Sequence, residues 1–155
     1  MQEIKLTQGH VALVDDSDFD VLNKHKWCYA NGYAVRNVLI NGKQKTIWMH
    51  RQILNAPVGL EVDHADGNRS NNQRSNIRLC TRTENMQNRP LTVKNTSGYK
   101  GVSFYKPLKK FQARIRISGM EKHLGFFDNV IDAAKAYKSA AITYHKSFAK
   151  FVDIG

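Results

Sequence analysis

Two cysteines and three prolines in 155 residues leave this chain with few covalent or steric constraints. Cys28 and Cys80 stand alone, without the paired CxxC spacing of a zinc knuckle. They read as small hydrophobic residues rather than as a disulfide or a metal site, and no structural zinc is expected. No apolar run reaches the roughly 18 residues of a membrane span. Met1 is not followed by the basic segment and apolar stretch of a secretory signal, so a cytoplasmic protein with no membrane contact is expected. The sequon Asn95-Thr-Ser97 means little without secretion. Acidic residues are also scarce, 13 against 24 Lys and Arg, giving a net charge of +11. From residue 91 onward 12 cations face 4 anions (+8), whereas residues 1 to 90 carry 12 and 9 (+3). That excess attracts polyanions. Nucleic acid fits better than an acidic membrane surface, because no helix is both basic and strongly amphipathic, and no obligatory protein partner is evident.

The pattern along the chain is α+β. Residues 1 to 55 read as a small β-rich platform, with an apolar strand over residues 11 to 14 and an acidic turn over 15 to 20 that could cap a short helix through Ser17. Asn31-Gly32 and Asn41-Gly42 then separate three strand-like runs, two hairpin signals that make a three-stranded meander. Its first reading is a platform whose apolar face packs on the polar stretch beyond residue 60; DNA contact by Arg36, Lys43 and Lys45 is the alternative. His50 and Arg51 open a short helix before Pro57, and His50 reads as a packed or hydrogen-bonded residue, a catalytic role being the alternative.

The chemistry concentrates in Leu60-Glu-Val-Asp-His-Ala-Asp-Gly-Asn68, Asn71-Asn72, Asn76-Ile-Arg-Leu-Cys-Thr81 and Arg82-Thr-Glu-Asn85. A strand ends at His64, Asp66-Gly67-Asn68 makes a turn, a second short strand runs from Ile77 to Cys80, and a helix comes next. Thr81 with Glu84 three residues later is a capping box. The residue types suit phosphodiester cleavage. A neutral imidazole at His64 can take a proton from water near neutral pH. One carboxylate and one carboxamide suffice for a hard cation that retains waters and borrows phosphate oxygens. Arg82 at a helix start offers a forked donor to an anion. The competing reading is a surface loop whose Asp and Asn residues only make turns; for Asp66, Gly67 and Asn68 that is the expectation.

This order resembles the HNH nuclease motif (the ββα-metal or His-Me finger) over residues 60 to 88. The resemblance implies His64 as general base, Asp63 and Asn85 as ligands of Mg²⁺ or Mn²⁺, Asn76 as the residue holding the finger together, and Arg82 on the scissile phosphate. The last position is Asn rather than His, similar to the H-N-N variants of phage and intron-encoded homing-type enzymes. Related phage proteins commonly carry a Met-His-Arg stretch before the finger, as at Met49-His50-Arg51 here.

Residues 91 to 97 lack periodicity and read as a linker. Beyond it, Phe111-Gln-Ala-Arg-Ile-Arg-Ile117 alternates, placing Phe111, Ala113, Ile115 and Ile117 on one face and Gln112, Arg114 and Arg116 on the other. A strand over residues 122 to 127 comes after it. Asp128 or Asn129 then caps a helix from Val130 to about His145, with Ala133, Ala134, Tyr137, Ala140, Ala141 and Tyr144 at helical spacing. Gly98-Tyr-Lys-Gly-Val-Ser103, Ala113-Arg-Ile-Arg116, Leu124-Gly-Phe-Phe127 and Asp132-Ala-Ala-Lys-Ala-Tyr137 resemble the ethylene-response-factor (APETALA-type) DNA-binding domain over about residues 97 to 152. That resemblance implies a three-stranded sheet, backed by a helix, entering the major groove with Lys100, Ser103, Tyr105, Arg114, Arg116 and His123 toward DNA. Ser103, Tyr105 and His123 stand where the plant proteins favour Arg or Trp, and Arg114 where they have an acid, so no base preference carries over.

The expected organisation is a platform and finger over 1–90, a linker over 91–97 and a DNA-binding domain over 98–155, together a metal-dependent endonuclease acting on double-stranded DNA. The alternatives are a DNA-binding regulatory or architectural protein with an inert finger, and an RNA-directed protein. Against RNA, no pair of aromatics is visibly placed to stack unpaired bases, Tyr105 being the one aromatic that favours it.

Overall fold

The computed structural model describes residues 1–89, 91 and 95–152, so residues 92–94 of the linker, including Lys94, lie outside the described residues. The architecture is α+β, and the chain divides into two compact units, Met1–Arg82 and Thr83–Gly155. No described helix is long and apolar enough to cross a membrane.

In the first unit, β1 (Gln2–Lys5) pairs antiparallel with β2 (Val11–Val14), and α1 (Asp16–Asn23) comes next. The helix begins earlier than Ser17 would set it. Asp15 occupies the cap position but makes no side-chain cap bond; its carboxylate accepts instead from the Arg74 N–H (2.7 Å) and from Gln73. Arg74 in turn grips Asp18 with two bonds of 2.8 and 2.7 Å. The acidic turn therefore anchors a distant loop.

The meander is present as β3 (Cys28–Ala30), β4 (Tyr33–Ile40) and β5 (Lys43–Trp48) in spatial order β3-β4-β5. Both of its turns use Asn-Gly with φ positive at both residues (51° and 90°, then 51° and 72°), the geometry that matches strand twist. Next come α2 (Met49–Ile53), β6 (Glu61–His64) and β7 (Ile77–Cys80). Ile4, Val14, Leu22, Trp27, Met49, Ile53, Val62 and Ile77 close one apolar core. Arg51 fixes the approach to β6 by donating to the carbonyls of Leu60 (2.8 Å), Pro57 (3.0 Å) and Ala56 (3.2 Å).

The second unit holds most of α3 (Arg82–Gln87), then β8 (Val102–Tyr105), β9 (Lys110–Ile117) and β10 (Met120–Phe127) in order β10-β9-β8, and α4 (Val130–His145). Asn129 caps α4, its side chain accepting from the Asp132 N–H at 2.8 Å. The alanine stripe of α4 buries Ala133, Ala134, Tyr137, Ala140 and Ala141 against Val102, Ala113 and Ile115. Tyr144 is not part of that core: it is exposed and its hydroxyl accepts from the Lys122 ammonium at 2.9 Å. Gly101 (φ 71°) lies where a Cβ would fall 2.1 Å from Tyr137 Cδ2 and 2.5 Å from the Arg114 carbonyl, so only glycine lets the chain pass under the helix.

Candidate active site

The antiparallel register of β6 and β7 sets Asp63 opposite Arg78 and His64 opposite Ile77. Successive side chains of a strand point to opposite faces, so the two adjacent motif residues are sent into different surroundings. Asp63 is 5 % exposed and accepts from Arg78 Nε (2.9 Å) and Nη2 (2.7 Å) on Oδ2. Removing one member of such a buried pair typically costs about 3–5 kcal/mol.

His64, also 5 % exposed, enters a cluster of rings. Its ring stands 5.2 Å from that of His50, nearly perpendicular, and 6.0 Å from Tyr33. Tyr33 meets Trp48 edge-on at 5.1 Å, and Trp48 lies 5.9 Å from His50. On another side, His64 Nε2 faces Asn72 Oδ1 at 3.4 Å. Asn72 is wholly buried and tied down by its own N–H to the Leu13 carbonyl (2.8 Å) and its Nδ2 to the Ser70 carbonyl (3.1 Å). With the carboxamide in this orientation its oxygen can accept a hydrogen bond from Nε2–H, which would leave Nδ1 as the basic nitrogen. Burial lowers the His64 pKa, partly offset by Asn72, Asp66 and Asp63. The ring is therefore neutral at neutral pH, the state a proton acceptor needs.

The loop between the strands is organised by amides. Asn76 accepts from the Asp66 N–H (3.0 Å) and donates to the Asn71 carbonyl (2.8 Å), while its own carbonyl takes the Ala65 N–H (2.9 Å). Asp66 receives Asn68 N–H (2.7 Å) and Asn71 Nδ2 (2.9 Å). Burial opposes its charge, but the bonds from Asn71, Asn68 and Asn76 prevail and hold its carboxyl below the ordinary value. Arg69 then pins the loop to the platform, donating to the Asn31 carbonyl (3.0 Å) with its guanidinium 4.7 Å above the Tyr33 ring.

Of the residues read from the sequence, Asp63, His64 and Asn76 gather in the first unit around β6 and β7. Arg82 is exposed at the start of α3, and Asn85, three residues further along that helix, belongs to the second unit. Asn72, Tyr33, Trp48 and Arg78 join the first group without having been singled out by the sequence. For Asn72 the Asn71-Asn72 doublet is a visible signal; Tyr33 and Trp48 offer none, since only folding brings them to His64. Asp63 and Asn85, the two oxygen donors named for a cation, belong to different units. Among the described residues no group of three or more His, Cys, Asp or Glu side chains comes together to hold a metal ion.

On the second unit's sheet, the register β8-β9-β10 puts Ser103, Tyr105, Arg114, Arg116 and His123 on the face turned away from Ala113, Ile115 and α4. Arg114 donates to Glu121 at 2.8 Å. Lys100 precedes β8 and lines one cavity with Ser103, Arg114 and Arg116. Its ammonium donates to the main-chain carbonyls of Gln87 and Arg89 (2.8 Å for the latter), and burial, with help from the charge of Lys150, lowers its pKa to about 8. The same face also carries aromatics that the sequence does not reveal as a group: Phe126 lies 5.2 Å from Tyr105 and 4.6 Å from His123. Aromatics therefore do gather on this sheet, contrary to the expectation used against RNA.

A strand ending in Asp-His, an amide-locked loop, a second strand and a helix carrying Asn85 follow the order of an HNH finger, and a sequence model of the HNH endonuclease family matches residues 55–87. Residues 55–87 of the chain are thus similar to the HNH endonuclease domain. Protein 3.8 of Escherichia phage T7 is 32% identical over 95 residues, which cover 61% of this chain and 78% of the phage protein. An uncharacterized HNH endonuclease of Acanthamoeba polyphaga mimivirus is 28% identical over 149 residues, 92% of this chain and 74% of its own length. No solved structure matches the chain.

Proposed function

We propose that the protein is a metal-dependent endonuclease that hydrolyses phosphodiester bonds of double-stranded DNA. The observation that carries this reading is His64: buried, its pKa lowered by that burial, with Nε2 facing Asn72 and its ring packed beside His50 and Tyr33. Nδ1 takes a proton from water as the oxygen attacks phosphorus, and the bond to the leaving oxygen breaks. Arg82 pairs with the phosphate, and Asn76 keeps the loop that presents His64. Asp63 and Asn85 are the oxygen ligands for Mg²⁺ or Mn²⁺. Such a cation supplies stabilisation of charge on the phosphate and the leaving oxygen when bound. Ser103, Tyr105, Arg114, Arg116 and His123 form the face of an ethylene-response-factor-like sheet that docks in the major groove.

The test is cleavage of supercoiled and linear DNA with Mg²⁺, Mn²⁺ or EDTA. Wild-type protein is expected to cut only with metal. His64→Ala should lose about 10²–10⁴ in rate while binding DNA almost as before, because no phosphate-pairing charge is removed. Cutting by His64→Ala at the wild-type rate would sink the assignment of the base. Zinc retained stoichiometrically through dialysis of active protein would count against the metal assignment, and DNA binding without cleavage under any metal would leave a binding protein with an inert finger.

A further inference from the structure

We propose that the β4–β5 hairpin is a second DNA-docking element, a two-stranded ribbon that lies in a groove of the duplex beside the cut; this rests on the nuclease reading. The first observation is charge. Residues 1 to 20 carry five Asp or Glu and one Lys, whereas residues 21 to 60 carry Lys24, Lys26, Arg36, Lys43, Lys45 and Arg51 and no acid at all. Forty residues without a carboxylate, in a chain with 13 of them, give this part of the platform a net positive charge, with Lys43 and Lys45 exposed on the hairpin.

The second observation is shape. From Asn37 to Thr46 no side chain is buried, although the strands remain paired in register to Ile40 and Lys43. The ribbon is held by that ladder, by the Asn41-Gly42 turn and by a Thr46 Oγ1 bond to Asn37 Oδ1 of 2.9 Å. It presents Leu39 78 % exposed and Ile40 45 % exposed near its tip, apolar surface that gains from being covered.

The third is the separation of its faces. Val38, Ile40, Lys43 and Lys45 share one side; Asn37, Leu39, Gln44 and Thr46 share the other. That second side continues at its root into Tyr33 and Trp48, the rings of the His64 cluster. A duplex lying over His64 therefore meets Asn37, Leu39, Gln44 and Thr46 next. These are the chemical types that read base edges in a major groove wide enough for a β-ribbon: a carboxamide for adenine and an apolar tip for the thymine methyl. Lys43 and Lys45, projecting from the opposite side on long stems, reach the flanking phosphates. From Trp48 to Gln44 is four residues, about 13 Å of strand, or roughly four base-pair steps from the scissile bond.

The experiment uses the full chain, a supercoiled plasmid and a random-sequence duplex library whose cut products are sequenced. Lys43→Ala/Lys45→Ala should reduce the slope of log affinity against log salt by about two. Leu39→Ala/Gln44→Ala should leave that slope unchanged and flatten base preference about four base pairs to one side of the cut, weakening discrimination there by roughly 5- to 100-fold. All four side chains are exposed, so thermal midpoints should stay put. Unaltered slope and preference in both variants, with His64→Ala still blocking cleavage, would overturn the hairpin proposal and leave the nuclease reading standing. A shift in sedimentation of the free protein, with DNA binding intact, would mean that a second copy covers the tip and would likewise overturn it. Wild-type protein that neither binds nor cuts duplex would overturn both.

Discussion

His50 shows how much a single residue can depend on where the chain folds around it. It is 6 % exposed, its Nδ1 has no hydrogen-bond partner, and burial, reinforced by the charges of His64 and Arg51, lowers its pKa to about 3. In the unfolded chain it titrates near 6.5, so between those values the unfolded state binds more protons and stability falls as pH falls. The contribution at pH 5 is a loss of about 2 kcal/mol relative to pH 8. His50→Phe, which keeps a ring but cannot titrate, should therefore lose less stability than wild type between pH 7 and 5 in urea melts; parallel curves would show that His50 does not set the acid response. The sequence reading of His50 as a packed residue agrees with its burial, and its neighbours explain why nothing finer was legible. Asp63 and His64 are adjacent in sequence and carry their own signature, whereas the rings around His64 come from β4, the end of β5 and α2, at positions 33, 48 and 50. Arg78 was equally silent, since only the β6–β7 register makes it the partner of Asp63.

At the scale of elements, periodicity and capping located what they govern. β9 runs from Lys110 to Ile117 and α4 from Val130 to His145, as alternation and a cap at Asp128 or Asn129 imply. β1 escaped because Gln-Glu-Ile-Lys carries one apolar residue and no period; pairing with β2, not propensity, makes it a strand. Tyr144 fits the helical spacing but lies at the margin of the stripe, where Lys122 and solvent receive it. Lys100 is the instructive case. Read as a DNA contact, it donates to carbonyls at the C-terminal end of α3 that a helix leaves open. Lys100→Met keeps the buried stem and removes the bonds, so it should destabilise the second unit by about 1.5–3 kcal/mol. It should leave the salt dependence of DNA binding unchanged, because an ammonium already spent on carbonyls releases no counterion. A salt slope smaller by one, with stability intact, would return Lys100 to the DNA face.

For the whole molecule, the division at Arg82 and Thr83 places Asp63 and His64 in one unit and the basic sheet in the other, with α3 largely on the side of the sheet. The basic excess beyond residue 91 is borne by that second unit, which carries no candidate base. Cleavage and docking should then separate. A fragment spanning Thr83 to Gly155 should bind duplex DNA and cut nothing. It should also be more stable than one beginning near residue 94, which lacks the Gln87 and Arg89 carbonyls that hold Lys100. A fragment ending near residue 90 keeps Asp63, His64, Asn76, Arg82 and Asn85 and should nick weakly with metal while losing most affinity. In the full chain, Arg114→Ala or Arg116→Ala should cost about 1–3 kcal/mol and relax preference at one base position if the side chain reads a base. If it touches phosphate alone, affinity should drop for all sequences alike and the salt slope should shrink by about one per residue. Arg114 already pairs with Glu121, so its substitution should cost less than that of Arg116. Undiminished affinity in the double variant at physiological salt would remove the sheet from the interface and leave the platform, with its acid-free stretch and its exposed ribbon, to hold the DNA.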